Sequence, residues 1–444
     1  RVVGEDLPDV VYGIDFDTAS RNTYGSDGVF IDLKDLIEEH APNIKRMLEE
    51  NPDWKEAVTA PDGAIYGIPQ LSTSTIGRYQ FVLWVYEPWL KALNIDKASI
   101  KTTEDLYNLF KLVAETDLNG NGKNDEIPFA ARGMTTAAGI LSYFMNSYTF
   151  CYTGNVAADY LAMEDNGAVC VANTEAYREG LRYINKLYEE KLILNDSISM
   201  DRTTITALGE SEEPVLFASV GLWAPYFTTK NGQRSTEYVP LAPVVNEDGF
   251  ACTIDGRGAV SGLTHMYITS ACEDPVTAIK WLDGLWDEEP ASKAGLSSVI
   301  PAETGQSAIN GEQALWTSPA SVSAADPNSI WSTFYMQWRD PEADFYTYYE
   351  DPVTQKVYTY RAEAQKLYDQ FSMNKKVGAV SLEGDEAAEY SELLTAIQNC
   401  ITSNSASFIT GEKSLDTDWD AYLKELKAYG IDRFIELVNK GIAK

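Results

Sequence analysis

The sequence predicts an α/β fold of two lobes around a cleft, on three observations. Short apolar runs of strand size alternate with amphipathic stretches of helical period, the pattern of layered α/β domains. The 444 residues exceed one ordinary core and suggest two or three units of roughly 100–200 residues each. Apolar residues make up 44% of the chain, enough for sizeable interiors and too many for wholesale disorder.

The elements follow in order. "PDVVYGI" at 8–14 reads as a strand. "DLKDLIEEHAPNIKRMLEE" at 32–50 carries Leu33, Leu36, Ile37, Ile44, Met47 and Leu48 at helical spacing, broken at Pro42. "AIYGIPQ" at 64–70 and "RYQFVLWVY" at 78–86 read as strands, and "PWLKALN" at 88–94 starts a helix on proline. The 102–117 stretch places Leu106, Leu109, Phe110 and Val113 on one helical face, and a further helix bears Tyr177, Leu181, Ile184 and Tyr188. "VLFASVGLW" at 215–223 reads as a buried strand. Asp274-Pro275 caps a helix bearing Ile279, Leu282 and Trp286. The 415–430 helix bears Trp419, Tyr422, Leu423, Leu426 and Tyr429, stops at Gly430, and is followed by a short helix with Phe434, Ile435 and Val438. There is no internal repeat and no apolar run of membrane-spanning length. Trp281 and Trp419, within periodic helices, read as packing.

Charge and residue counts narrow the chemistry. A formal net charge of −32, from 35 basic and 67 acidic residues, opposes binding to nucleic acid or anionic membrane. The five cysteines form no C-x-x-C pair, which leaves zinc and redox motifs unsupported. Cys151 and Cys170 flank a hairpin-like segment and could bridge, and the sequence does not decide the pairing. Two histidines, His40 and His265, make a histidine metal site or nucleophilic triad a poor expectation. The chain starts at Arg1 on a loop entering a strand, so a first βα unit and any leader or lipid anchor are expected to precede it.

"DLNGNGKNDEIP" at 117–128 is the most specific motif. Asp117, Asn119 and Asn121 alternate, and Gly122 permits a sharp turn. Lys123 offers its carbonyl, and Asp125 and Glu126 close the set. The twelfth position, a carboxylate in an EF-hand, is Pro128. The residues alone fit a calcium loop and a metal-free Asx-rich turn equally.

This loop resembles the calcium loop of family 1 extracellular solute-binding proteins of ABC importers, closest to the Gram-positive lipoprotein branch and to alginate-oligosaccharide-binding proteins. "DLPDVVYG" near the start, the 28–70 stretch with "APDGAIYGIPQ", "EDPVTAIKWLDGLW" at 273–286 and "FITGEKSLDTDWDAYLKELKAYGID" at 408–432 resemble further family segments in family order. The region after 286 departs from the family pattern. The resemblance implies a two-lobe periplasmic-binding-protein-like fold of type II. Lobe 1 would be 1–127 and 243–305, and lobe 2 would be 128–242 and 306–444, with hinges near 127–133 and 238–243. It also implies structural calcium held by Asp117, Asn119, Asn121, Lys123, Asp125 and Glu126. The function implied is capture of an oligosaccharide by lobe closure and delivery to a transmembrane permease, by an extracellular, lipid-anchored monomer without catalysis.

The ligand candidates stand in loops among polar residues. Sugar rings stack their C–H faces on aromatic planes, and their hydroxyls need polar partners. Trp223, Tyr226, Trp331, Tyr335 and Trp338 are the candidate platforms, with Arg339 adjacent and the tyrosines at 346, 348 and 349 close by. Asp15, Asp17 and Gln70 lie at strand ends, where open α/β sheets place ligands. Arg78, Arg132, Arg257 and Arg339 would suit a uronate carboxylate, although a neutral oligosaccharide is preferred. Two other classes stay open: a secreted glycoside hydrolase with a carboxylate pair, and a peptide- or lipid-binding member of the same fold with an apolar cleft.

Overall fold

The computed structural model describes residues 7–16, 18–69, 76–136, 138–154, 159–229, 232–256, 264–286, 300–318, 343–378, 380, 382 and 384–442. The chain forms two compact units, Arg1–Thr75 with Arg257–Pro352, and Ile76–Gly256 with Val353–Lys444.

In the first unit, strand Val10–Phe16 pairs antiparallel with Thr264–Ile268, Val10 opposite Ile268. Ile68–Pro69 pairs on the other edge of Thr264–Ile268. Helices Lys34–His40, Pro42–Glu50, Pro52–Val58 and Pro275–Gly284 belong to the same unit. Three of them begin on proline, where the missing N–H removes a donor that would be unpaired anyway. Leu33, Ile37, Ile44, Met47, Ile68, Met266, Ile268, Ile279, Leu282 and Trp286 form the core. Asp283 is buried within it. Its Oδ1 accepts from the backbone N–H of Asn43 at 2.9 Å and of Ile44 at 2.8 Å, so a side chain of one helix caps the start of another. A second sheet places Trp316–Ser318 between Ile300–Pro301 and Thr347–Tyr349.

The second unit is built on a four-stranded sheet in the order Ile127–Phe129, Leu216–Gly221, Val82–Tyr86, Tyr238–Pro240. The first two strands are parallel, and Val82–Tyr86 runs antiparallel to both of its neighbours. Every residue of Val82–Tyr86 and of Leu216–Gly221 is buried, which accounts for their continuous apolar sequences. Helix Thr103–Ala114 starts on a capping box. The Asp105 N–H donates to Thr102 Oγ1 at 3.0 Å, and the Thr102 N–H donates to Asp105 Oδ2 at 2.9 Å. The 27-residue helix Gly384–Thr410 packs on Glu175–Glu189 and Ile431–Gly441. Tyr177 Oη lies 2.8 Å from Ser405 Oγ, and the Tyr390 and Phe434 rings stack at 5.5 Å.

The units divide at 75/76, 256/257 and 352/353. Two expectations need correction. The expected hinge segments begin with strands Ile127–Phe129 and Tyr238–Pro240, both in one sheet of the second unit. Their prolines suit any extended backbone, so they read as linkers. Trp281 is 46% exposed, because the buried face of its helix is Ile279, Leu282 and Asp283. All five cysteines are free, and Cys151 and Cys170 are buried apart from any disulfide. Among the described residues, no helix is long and apolar enough to cross a membrane.

Candidate functional site

The 117–126 loop closes upon itself through side chains. Asp117 Oδ1 accepts from the N–H of Gly120 at 2.8 Å and of Asn121 at 3.1 Å, and Oδ2 accepts from Gly122 at 2.9 Å. Gly120 and Gly122 sit at φ 76° and 81°, a region side chains resist. Asn119 Oδ1 accepts from the Asn121 N–H, and Asn121 Oδ1 from the Lys123 N–H. The amide nitrogens of Asn119 and Asn121 both donate to Asp125, at 3.0 and 3.1 Å. Those two amides, with the Lys123 charge, hold the Asp125 carboxyl below its ordinary range.

Glu126 marks the inner side of the loop. It is only 6% exposed. Its Oε1 accepts from the N–H of Leu118 at 2.6 Å and of Asn119 at 3.0 Å, whereas buried Oε2 has no hydrogen-bond partner among the described residues. A buried carboxylate oxygen without a partner is costly unless something charged satisfies it. A hard cation suits it, with oxygen donors from Asp117, Asn119, Asn121, Asp125 and the Lys123 carbonyl. Turning the two amides about their Cβ–Cγ bonds exchanges nitrogen for oxygen towards Asp125. Among the described residues, no three His, Cys, Asp or Glu side chains already form a metal-binding group, so amides and a carbonyl have to complete this set.

An aromatic–guanidinium cluster lies in the same unit. Trp223 and Tyr226 follow the C-terminal end of Leu216–Gly221, and Arg132 follows the parallel strand Ile127–Phe129. These are the strand ends where α/β sheets present ligand sites. The Tyr226 side chain packs against Gly221, where a Cβ would approach Tyr226 Cβ at 2.9 Å. Arg132, half-buried, lies with Cζ 5.9 Å from the Tyr226 ring centre and has no carboxylate partner among the described residues. Trp223, also half-buried, meets Tyr358 edge-on at 5.6 Å. The Arg361 guanidinium lies 4.9 Å from the Trp223 ring and 4.8 Å from the Tyr358 ring. Arg361 Nη2 donates to the Ile76 carbonyl at 3.1 Å. A side chain at Gly77, φ 86°, would overlap the guanidinium.

The other ligand candidates distribute unevenly. Arg78 is paired, Nη2 to Asp255 at 2.7 Å and Nη1 to Asp369 at 3.2 Å. Tyr346, Tyr348 and Tyr349 lie in the first unit, and the last two belong to strand Thr347–Tyr349. Asp15 lies in strand Val10–Phe16, and its side chain is outside the described part. Asp17, Gln70, Arg257, Trp331, Tyr335, Trp338 and Arg339 lie outside the described residues. The sequence reading missed Tyr358 and Arg361. Their spacing of three residues within helix Pro352–Asp369 was the available signal, since such a pair shares one helical face.

No family model matches the chain. It is 24% identical over 470 residues to the fructooligosaccharide ABC transporter substrate-binding protein FusA of Streptococcus pneumoniae, a match covering 98% of this chain and 80% of FusA. The chain is related to ABC-transporter substrate-binding proteins. The structure of S. pneumoniae FusA in complex with kestose is similar at TM-score 0.70 with 21% identity, covering 99% of this chain and 88% of FusA. An HMO-binding solute-binding protein of Bifidobacterium longum infantis gives TM-score 0.72 with 17% identity, covering 98% of this chain and 87% of that one. Alginate-binding AlgQ2, in a structure without calcium ion, gives 0.61 with 20% identity, covering 98% and 86%. The α/β fold of ABC solute-binding proteins, expected from the sequence, is the fold of this chain.

Proposed function

We propose that the protein is the extracellular substrate-binding component of an ABC importer, which captures an oligosaccharide and passes it chemically unchanged to a transmembrane permease. The observation that carries this reading is the similarity to FusA through 98% of the chain. The ligand class follows from the relatives: FusA occurs in complexes with kestose and fructo-nystose, and the Bifidobacterium protein is HMO-binding. Trp223 and Tyr226 are the proposed sugar platforms, and Arg132 supplies hydroxyl-directed donors. The protein acts as a monomer on a Gram-positive surface, held there by a lipid anchor.

We further propose that loop 117–126 holds structural calcium through Asp117, Asn119, Asn121, Asp125, Glu126 and the Lys123 carbonyl. The partnerless buried oxygen of Glu126 supports this, as do the FusA structure described as an EF-hand mutant and the calcium-free AlgQ2 structure. The cation neutralises the loop carboxylates and takes no part in chemistry.

Calorimetric titration against kestose, nystose, milk oligosaccharides, oligomannose glycans and alginate oligosaccharides tests the reading. The expected result is saturable binding to at least one neutral member, recovered intact after incubation. Binding to none, or steady release of shorter sugars, overturns it.

A further inference from the structure

Glu213 lies outside the loop in sequence, yet the sheet brings it to the loop. Ile127 and Leu216 are paired in the parallel register of their strands, and the Ile127 N–H donates to the Val215 carbonyl at 2.7 Å. That register sets the residues just before Leu216 beside those just before Ile127. Asn119 Nδ2 accordingly donates to the Pro214 carbonyl at 3.2 Å, and Asn121 Nδ2 donates to Glu213 Oε2 at 3.3 Å. The same Asn121 nitrogen also lies 3.1 Å from each oxygen of Asp125.

One amide nitrogen with two hydrogens therefore faces three carboxylate oxygens from two residues. The Lys123 charge acts on Asp125, and the neutral Asn121 amide adds no charge to offset Glu213. Glu126, more than nine-tenths buried and with a partnerless Oε2, accepts from the N–H groups of Leu118 and Asn119 and so lies against the same loop, although no three carboxylates already form a metal-binding group among the described residues. Glu213 has no ion-pair partner among the described residues.

We infer that Glu213 is a further carboxylate of the cation site, and that the bound cation ties loop 117–126 to the entry of strand Leu216–Gly221. This rests on the calcium reading above and extends it beyond the loop's own residues. The tie matters because the same strand leads into Trp223, two residues beyond its far end. A cation held from both sides fixes two adjacent strand starts against each other.

The test is calcium titration of the chelator-treated full chain by calorimetry, with melting temperature as a second readout. A unit charge a few ångströms from a divalent cation near the surface changes affinity by about tenfold. Glu213→Gln should weaken calcium binding by about that factor and reduce the calcium-induced rise in melting temperature. Its melting temperature without calcium should match that of the unaltered protein. Glu212→Gln, an equal charge change at the exposed neighbouring residue, should change affinity less than twofold. If Asp117→Ala abolishes binding while Glu213→Gln binds as the unaltered protein does, the role of Glu213 is refuted and the calcium reading survives. Equal weakening by Glu212→Gln and Glu213→Gln refutes it too, since only diffuse charge would be involved. Absence of any calcium effect on the unaltered protein overturns both readings.

Discussion

Trp223 is the residue at which platform and packing make opposite demands, and Trp223→Ala measures both. The indole is half-buried. Among the described residues it packs on the core of its unit, meets Tyr358 edge-on at 5.6 Å and lies 4.9 Å from the Arg361 guanidinium. The ring pair is worth about 0.5–1.5 kcal/mol and the cation–π contact about 0.5–2 kcal/mol. Arg361 keeps its contacts with Tyr358 and the Ile76 carbonyl in the variant, so the stability loss should be roughly 1–3 kcal/mol, below the roughly 3–5 kcal/mol of a fully buried tryptophan. Loss of a stacking platform should weaken sugar binding by about 1–3 kcal/mol, on the scale of base–aromatic stacking, or about 5- to 150-fold. Calorimetric titration with the tightest-binding member of the oligosaccharide panel gives the affinity, and thermal unfolding gives the stability. Trp223→Phe should recover most of the stability, since a ring still meets Tyr358, and only part of the affinity. Affinity within twofold of the unaltered protein, in a folded Trp223→Ala, would falsify the assignment of Trp223 as a platform.

Chelation should lower the melting temperature, and Asp117→Ala should remove that sensitivity; superimposable melting curves with and without chelator would mean a metal-free turn. Burial pushes the Cys170 and Cys252 thiols up to about 12 and that of Cys400 up to about 11. Alkylation of the native protein should therefore reach Cys272 first, and the denatured, unreduced protein should titrate five thiols; a count of three would reveal a disulfide. Asp283→Ala should destabilise the first unit by roughly 2–4 kcal/mol, because it leaves the buried N–H of Ile44 and that of Asn43 without their acceptor. Circular dichroism melts check this, and a loss below about 0.5 kcal/mol would contradict the cap. Binding of a neutral sugar should change less than twofold between low and high salt, since no charge pair forms across the contact; a steep fall would point to an anionic ligand.

Local chemistry was legible in the sequence. The Asp274 cap and the prolines at the starts of helices Pro275–Gly284 and Glu87–Ala92 depend on neighbours in the chain. The exposure of Trp281 was legible too, though it was misread. Two residues past Ile279, a side chain lies about 200° around the helix, opposite the buried face. Pairing across the sheet was not legible. "EIPFAAR" and "YVPLAPV" look like linkers because nothing within them names their partners, which are Leu216–Gly221 and Val82–Tyr86. The loop motif was visible to its last residue, whereas Glu213, 92 positions from Asn121, is brought in by strand register alone.

The arginines show why composition was a weak guide to the ligand. With 67 acidic residues against 35 basic ones, most guanidinium groups are expected to find a carboxylate, and Arg78 finds two. That pairing removes the charge an acidic sugar would need. Arg132 and Arg361 differ, because among the described residues they are matched to aromatic faces and a backbone carbonyl and to no carboxylate. A ring quadrupole steadies a cation without neutralising it. Arg361 is only 9% exposed, and its Nε is buried without a hydrogen-bond partner among the described residues, so it props the indole and tyrosine rings and offers little to solvent. Half-buried Arg132 lies beside Tyr226 with no carboxylate partner among the described residues. An apolar ring face next to such a guanidinium suits a pyranose or furanose, whose C–H face and rim hydroxyls need these two surfaces together, and the charge that Arg132 retains can receive a uronate carboxylate as readily as a hydroxyl.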